Sequence, residues 1–276
     1  MANRGALLAS GILTCLSLAA KRKLRRLPIS ALTDEYAFSY GLDGWHYFRA
    51  LLAEYERNQD VAPEQTTFYR FFCHERVRSI RYLEDVLFLH DEDRRAPTDG
   101  FRFYFGTYPW GGWGKDEGAV GGKPWGRHYD WVEKTCTRDL FGFRRNPWYQ
   151  PGDTYPLDIE WNQTIKLYHA LLQGYFPLAY GTLPSVVLLV RRDGAIRAVR
   201  RNGNHRLSIL SHLGRKSVTV WIAPDSIEVV READVDQWYY VERGLCSREH
   251  ALDIFNAYFD LTGRERIEYL GLPTAY

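Results

Sequence analysis

The apolar positions of this chain change period several times, and each change predicts an element. From 44 to 57, "GWHYFRALLAEYER", and from 67 to 90, "TFYRFFCHERVRSIRYLEDVLFLH", apolar residues recur three and four apart, as in helices with one buried face. Pro63 and Glu64 sit where the second of these begins. Between 158 and 174, Ile159, Ile165, Leu167, Leu171 and Leu172 predict a further helix, ended by Gly174. The period then shortens. "SVVLLV" (185–190) reads as a β-branched strand, Asp193 and Gly194 as a hairpin turn, and "AIRAV" as the returning strand. A helix over "HRLSILSHL", closed by Gly214, leads to the strand "SVTVWI" (217–222). "SIEVV" predicts one more strand, followed by helices over about 232–243 and 248–260, the second N-capped by Ser247. Helix, hairpin, turn, helix and strand in that order predict a compact α+β unit.

One stretch fits neither period. Residues 101 to 126, "FRFYFGTYPWGGWGKDEGAVGGKPWG", open with strand-like alternation and then mix Gly with Trp, Tyr and Pro, which suits no regular helix or central strand. Long loops of this kind serve as lids or binding loops. Two readings stand: Tyr108, Trp110 and Trp113, with Trp125, form an aromatic platform for a sugar ring or base, or the loop is pinned to the surface by its own Trp side chains. His128 and Asp130, just after it, are candidate contacts to a substrate. Aromatic residues make up 15% of the chain, enough for either use.

Charge and cysteine usage narrow the function classes. The net charge is +2, but Arg4, Lys21, Arg22, Lys23, Arg25 and Arg26 lie in the first 27 residues, which hold no acid. The net charge, less these six, leaves residues 28 to 276 at −4, which argues against a surface that coats nucleic acid. The four cysteines form no Cys-x-x-Cys pair, so neither a zinc site nor a disulfide framework is signalled, and no histidine spacing suggests a metal site. "ALLASGILTCLSLAA" (6–20), followed at once by "KRKLRR", is short for a spanning helix. It reads as a core or interfacial helix with a solvated basic end, as a membrane-surface anchor, or as a cleaved signal. The expected location is cytoplasmic, with membrane association through residues 1–27 as the variant.

The most informative chemistry is the turn in "VRRNGNHRLSILSHLG". A helix start exposes backbone N–H groups and the positive end of a dipole, so basic residues are poorly placed there unless something negative joins them. Gly203 lets the backbone approach an anion, His205 and Arg206 supply donors in the first turn, and Asn202 and Asn204 are polar helpers. The alternative is a tight turn with Arg206 bonded to a neighbouring carboxylate.

The run "SVVLLVRRDGAIRAVRRNGNHRLSILSHLGRKSVTVWI" resembles the ParB/sulfiredoxin superfamily, whose strand, Gly-x-[His/Arg]-Arg turn, helix ending in Leu-Gly and further strand form a nucleotide-phosphate site. The resemblance covers about residues 150–224 and rests on Gly203, Asn204, His205, Arg206, Leu213 and Gly214. Asn204 stands where sulfiredoxins carry cysteine, so sulfinic-acid repair is not implied. ParB partition proteins show an acid at this position, an arginine where His205 stands and a helix-turn-helix beyond; the tail here has no basic helical face. The branch of small-molecule kinases remains. The resemblance therefore implies a nucleoside di- or triphosphate (ATP, ADP or CTP) with Mg²⁺, held by Asn202, Gly203, Asn204, His205 and Arg206. Asp158 and Glu160, opening the helix before the first strand, are with His205 the catalytic candidates, Asp153 a further one; any of these carboxylates could instead simply satisfy a helix dipole.

The resulting expectation is an apolar-basic segment (1–27), a helical region with the Gly/aromatic loop (28–145), a ParB-like unit (146–230) and C-terminal helices (231–276). The expected function is phosphoryl transfer from a nucleotide to a small hydroxylated, sugar-like acceptor. Two rivals stand beside it: a non-catalytic nucleotide-binding adaptor at a membrane surface, and a nucleic-acid binder, the least favoured.

Overall fold

In a computed structural model, residues 24–74, 155–175, 183–222, 229–244 and 246–275 are described, with isolated positions between 77 and 121. The elements are β1 (Leu24–Pro28), β2 (Leu32–Thr33), α1 (Tyr47–Arg57), α2 (Thr67–Cys73), a two-stranded ribbon of β3 (Phe103–Tyr104) and β4 (Val120–Gly121), α3 (Tyr155–Leu172), β5 (Ser185–Val190), β6 (Ile196–Asn202), α4 (Asn204–His212), β7 (Ser217–Ile222), β8 (Val229–Arg231), α5 (Tyr239–Glu242), α6 (Arg248–Asp260) and α7 (Arg264–Tyr269). The fold is mixed α and β, built on a six-stranded mixed sheet in the order β1-β7-β5-β6-β2, with β8 also paired to β5.

The expected hairpin forms: β5 and β6 pair antiparallel, Val190 opposite Ile196, across a turn in which Gly194 has φ +86° and Asp193 accepts the Ala195 N–H at 2.8 Å. As the central strand, β5 is buried on both faces. Val186 packs with Ala198, Val218, Val220 and Ile222 against Leu207 and Leu210 of α4. Val187, Leu189, Val199 and Val230 join the larger cluster that holds Ile254 and Phe255 of α6. The near-continuous apolar run "SVVLLV" is thus the sequence of a strand sandwiched between helices.

Three helices share one direction, and side-chain pairs at both ends establish it. Phe48 of α1 and Glu160 of α3 meet His205 near the start of α4, at 4.3 Å between ring centroids and 2.7 Å respectively. Eight residues further along each, Glu56 lies 3.0 Å from His212 and Tyr168 packs edge-on to the same imidazole. His205 and His212 are seven residues apart, so all three helices rise by about 10–12 Å between the two contacts. The tyrosine hydroxyl of Tyr168 also donates to Glu56, closing a triangle at the far end. Burial, then the Glu56 contact, pushes the Tyr168 hydroxyl up to about 12.

Much of the aromatic content packs here. Phe38, Trp45, Tyr47, Phe48, Phe68, Phe71 and Phe72 are buried, mostly in tilted or edge-to-face contacts such as Phe38 with Phe71 at 5.5 Å.

Several boundaries differ from expectation. Residues 24–28 are an edge strand, antiparallel to β7 with Leu24 opposite Trp221, so Arg25 and Arg26 belong to a sheet edge rather than to the solvated end of a helix. Arg26 donates to Ser217 Oγ at 2.8 Å. The helix expected from 67 starts on the Thr66 cap but stops at Cys73, where His74 turns extended. The one expected at 232–243 is a 3-10 turn (Glu232–Gln237) and the short α5, separated by extended Trp238. Ser247 caps α6 as expected, accepting the His250 N–H at 3.2 Å. Among the described residues no helix is long and apolar enough to cross a membrane. The apolar run 6–20 and the loop 101–126 lie outside the described residues, apart from the four positions of the β3–β4 ribbon.

Because β1 covers the edge of β7, a chain beginning at residue 29 is expected to be less stable than one beginning at 24 by on the order of 3 kcal/mol, through lost ladder bonds and the burial of Leu27. Urea midpoints of the two truncations measure this; equal midpoints would remove β1 from the account of the sheet.

Candidate functional site

The site sits where β6 ends and α4 begins. Asn202 closes β6, exposed and opposite Ser185. Gly203 follows with φ +93°, a backbone conformation that a side chain disfavours, and a Cβ there would come within 2.9 Å of Pro184. Both conditions require glycine for structural reasons, whatever binds. No side chain caps α4, and the first helical bond runs from Leu207 N to Gly203 O. The amides of Asn204 and His205 precede that bond, at the positive end of the helix dipole.

His205 is held on two sides. Phe48, itself buried, stacks on its ring at 30°, and Nε2 lies 2.7 Å from Glu160 Oε2. A carboxylate only accepts, so the neutral imidazole carries its proton on Nε2 and keeps a lone pair on Nδ1. Nδ1 makes no hydrogen bond among the described residues, and the side chain keeps 26% of its surface exposed. A carboxylate that fixes one nitrogen and leaves the other without a hydrogen bond among the described residues is an arrangement that can serve a general base. Asp158, one turn-start earlier on α3, accepts from the Tyr69 hydroxyl at 2.5 Å, which ties α2 to the same corner. Arg206 is more than half buried; burial lowers its guanidinium, and Tyr175 opposes the shift.

Asn204 faces inward. Its Oδ1 accepts from the Tyr40 hydroxyl and its Nδ2 donates to the Tyr47 hydroxyl, each at 2.6 Å. Tyr47 in turn donates to Asp34 Oδ2 at 3.3 Å, and Asp34 Oδ1 accepts the N–H groups of Tyr36 and Phe38 at 2.8 and 2.9 Å. Its side chain is thus occupied by the protein's own hydroxyls, so only its backbone amide faces the turn expected to hold phosphate. Behind these groups lies His46, fully buried, stacked on Tyr40 at 4.7 Å, with Nδ1 accepting the Phe48 N–H at 3.2 Å.

The sequence-predicted residues therefore divide. Asp158, Glu160, Asn202, Gly203, Asn204, His205 and Arg206 come together at one corner, where helix starts converge. Tyr108, Trp110, Trp113, His128, Asp130 and Asp153 lie outside the described residues. Phe48, Tyr69, Tyr40, Tyr47 and Asp34 were not foreseen. Phe48 reads in sequence as one more apolar helix position, and nothing local marks Asp34 as buried. Among the described residues no group of three or more His, Cys, Asp or Glu could hold a metal ion. Mg²⁺ would have to share Glu160 with His205 or Asp158 with Tyr69, so this donor set does not suit a resident cation. No family model, curated protein or solved structure matches the chain.

Two buried groups set opposing pH dependences. Burial, only partly offset by Arg200, raises the Asp34 carboxyl from 3.8 to about 7. Burial, reinforced by Arg49 and Arg200, holds His46 well below its usual 6.5. Between roughly pH 4 and 7 the folded chain keeps a proton on Asp34 that the unfolded chain loses, so this group's contribution falls as pH rises. The His46 contribution is present above its unfolded value of 6.5 and is lost as pH falls. Asp34→Asn removes only the first effect. Its urea midpoint is therefore expected to climb more steeply than the wild type's from pH 5 to 7; parallel profiles would refute the raised carboxyl.

Proposed function

We propose that the chain is a nucleotide-dependent phosphotransferase acting on a small hydroxylated acceptor. The observation that carries this reading is the Glu160–His205 pair, with Nδ1 not hydrogen-bonded among the described residues, beside an uncapped helix start. The amides of Asn204 and His205 receive the phosphates, and Arg206 adds a cation beside them. Asn202, exposed at the rim, supplies a further polar contact. A bound nucleotide would supply the phosphoryl group, and Mg²⁺ arriving with it would shield its charge; the chain contributes position and proton handling. His205 Nδ1 takes the proton of the acceptor hydroxyl as its oxygen bonds to the terminal phosphorus. The bond from that phosphorus to the bridging oxygen breaks, and its electron pair leaves with the shortened nucleotide. Glu160 keeps the imidazole in the tautomer that accepts this proton and stabilises the imidazolium that forms. The ParB/sulfiredoxin resemblance supports the same reading, since a strand, the Gly203 turn, α4 and a further strand, β7, follow one another as the resemblance implies.

A second reading, nucleotide binding without turnover, is favoured by one observation: both acids at the start of α3 already have protein partners, which leaves little to hold Mg²⁺. Such a module would act as a regulatory adaptor.

Melting curves with ATP, ADP and CTP, with and without Mg²⁺, followed by a hydrolysis assay, separate the two. Arg206→Ala is expected to weaken nucleotide binding by about 1.5–3 kcal/mol, the loss of one charge-assisted contact, with little change in melting temperature. His205→Ala is expected to retain at least part of the binding and to lose turnover. A wild-type chain unaffected by any nucleotide at millimolar concentration would end both readings, and an Arg206→Ala variant that binds normally would end the site assignment.

A further inference from the structure

The buried chain behind Asn204 has a fixed polarity. Above about pH 7, where the Asp34 carboxyl is ionised, its oxygens can only accept. Tyr40 donates to Asn204 Oδ1, Asn204 Nδ2 donates to Tyr47, and Tyr47 donates to Asp34. Each link leaves its middle group one way to point, so the Asn204 amide orientation is decided at Asp34, three side chains away. The two N–H groups on Oδ1 fix the Asp34 carboxyl plane and present Oδ2 to Tyr47. Asp34, Tyr40 and Tyr47 are all buried, so water does not substitute for a lost partner.

We infer that Asp34 is a positioning residue for the α4 start: through Tyr47 it sets the Asn204 side-chain orientation, and with it the placement of the His205 and Arg206 first turn. The part that concerns ligand contact rests on the reading of this corner as a nucleotide site; the part that concerns Asn204 does not.

The consequence is specific. Placing an amide at 34 puts a donor where Oδ2 stands, and Tyr47 must then accept from it. The Tyr47 hydrogen turns to Asn204, which satisfies it only by flipping to offer Oδ1. Nδ2 then faces Tyr40, and the Tyr40 hydrogen loses its acceptor. A change of one oxygen to nitrogen therefore propagates to the helix start, whereas a purely local role for Asp34 would leave Asn204 as it was. Tyr47→Phe breaks the same chain at its middle while leaving the ring packed, and serves as the second variant should Asp34→Asn fold poorly.

The test uses the full chain above about pH 8, where Asp34 is ionised, in two measurements. The first, independent of any ligand, follows the side-chain amide resonances of Asn204, assigned by their loss in Asn204→Ala, and the ring resonances of His205. Asp34→Asn and Tyr47→Phe are each expected to shift both sets while His212, at the far end of α4, keeps its signals. The second is calorimetric titration with ADP and with ATP plus Mg²⁺. Asp34→Asn, Tyr47→Phe and Asn204→Ala are each expected to weaken binding by about tenfold, equivalent to one hydrogen bond, with the Tyr47→Phe/Asn204→Ala pair no weaker than either single change. Asn204 signals that superimpose on the wild type's in both Asp34→Asn and Tyr47→Phe would overturn the inference. Shifted signals in a chain that binds no nucleotide would uphold the positioning role and refute the nucleotide reading.

Discussion

The imidazole of His205 is the joint on which the arrangement of the helices depends. One face lies on Phe48 and one nitrogen on Glu160, so a single side chain of α4 registers α1 and α3 at once. The contact also resolves an electrostatic conflict. A basic residue in the first turn of a helix meets the positive end of its dipole, and the Glu160 carboxylate, carried on the first turns of a parallel neighbour, supplies the compensating charge. At the far end the relation is reversed. His212 lies in the last turn of α4, where a cation is favoured, and its partner Glu56 lies in the last turn of α1, where an acid is not. There the Tyr168 hydroxyl and His212 outweigh the burial that would raise Glu56 and hold it below its usual value.

Packing dictates much of what looks functional in the turn. Gly203 is needed for its φ and for its closeness to Pro184, so the glycine alone carries no information about a ligand. The Asn204 side chain is consumed by two tyrosine hydroxyls. What the protein's own side chains leave unused at the turn is smaller than the sequence motif suggests: two amides and the second nitrogen of His205, with the half-buried Arg206 beside them. This is a chemically coherent set. It holds donors, a base and a cation, and a carboxylate whose role toward His205 is already fixed.

The local elements were legible because their causes are local. The hairpin at Asp193 and Gly194, the strand 217–222, the Ser247 cap and the close of α3 near Gly174 follow from turn chemistry and from period, and Glu160 and His205 were recognisable as candidates from their places at helix starts. What could not be read was long-range. The strand at Leu24–Pro28 looks like a basic flank because its partner, β7, lies nearly two hundred residues away. The stretch 232–243 has helical periodicity, but Trp238 is buried in an extended conformation and divides it. Asp34 and His46 carry no mark of their burial in the surrounding sequence, since the helices that enclose them come from both ends of the chain. The α7 start at Gly263 is set by contact with Phe38, where any side chain would collide at 2.4 Å.

A carboxyl raised to about 7 by burial is an unfavourable element of a core, and a well-packed apolar group in its place commonly stabilises a protein. Asp34 sits among Phe38, Tyr47 and His46, where an apolar replacement would find many contacts. Its own contacts run in a single direction instead: two backbone N–H groups fix it, and its second oxygen orders Tyr47 and, through it, Asn204. Leaving any one of these donors without an acceptor in so dry a place costs more than the bond contributes, so the network is strongly determined once formed. Its direction of influence is toward α4, because the Asp34 end is anchored in backbone while the Asn204 end lies on the first turn of a helix without a side-chain cap. The rigidity of the corner is thus produced in the core, and the half-buried His205 and Arg206 in the first turn inherit it.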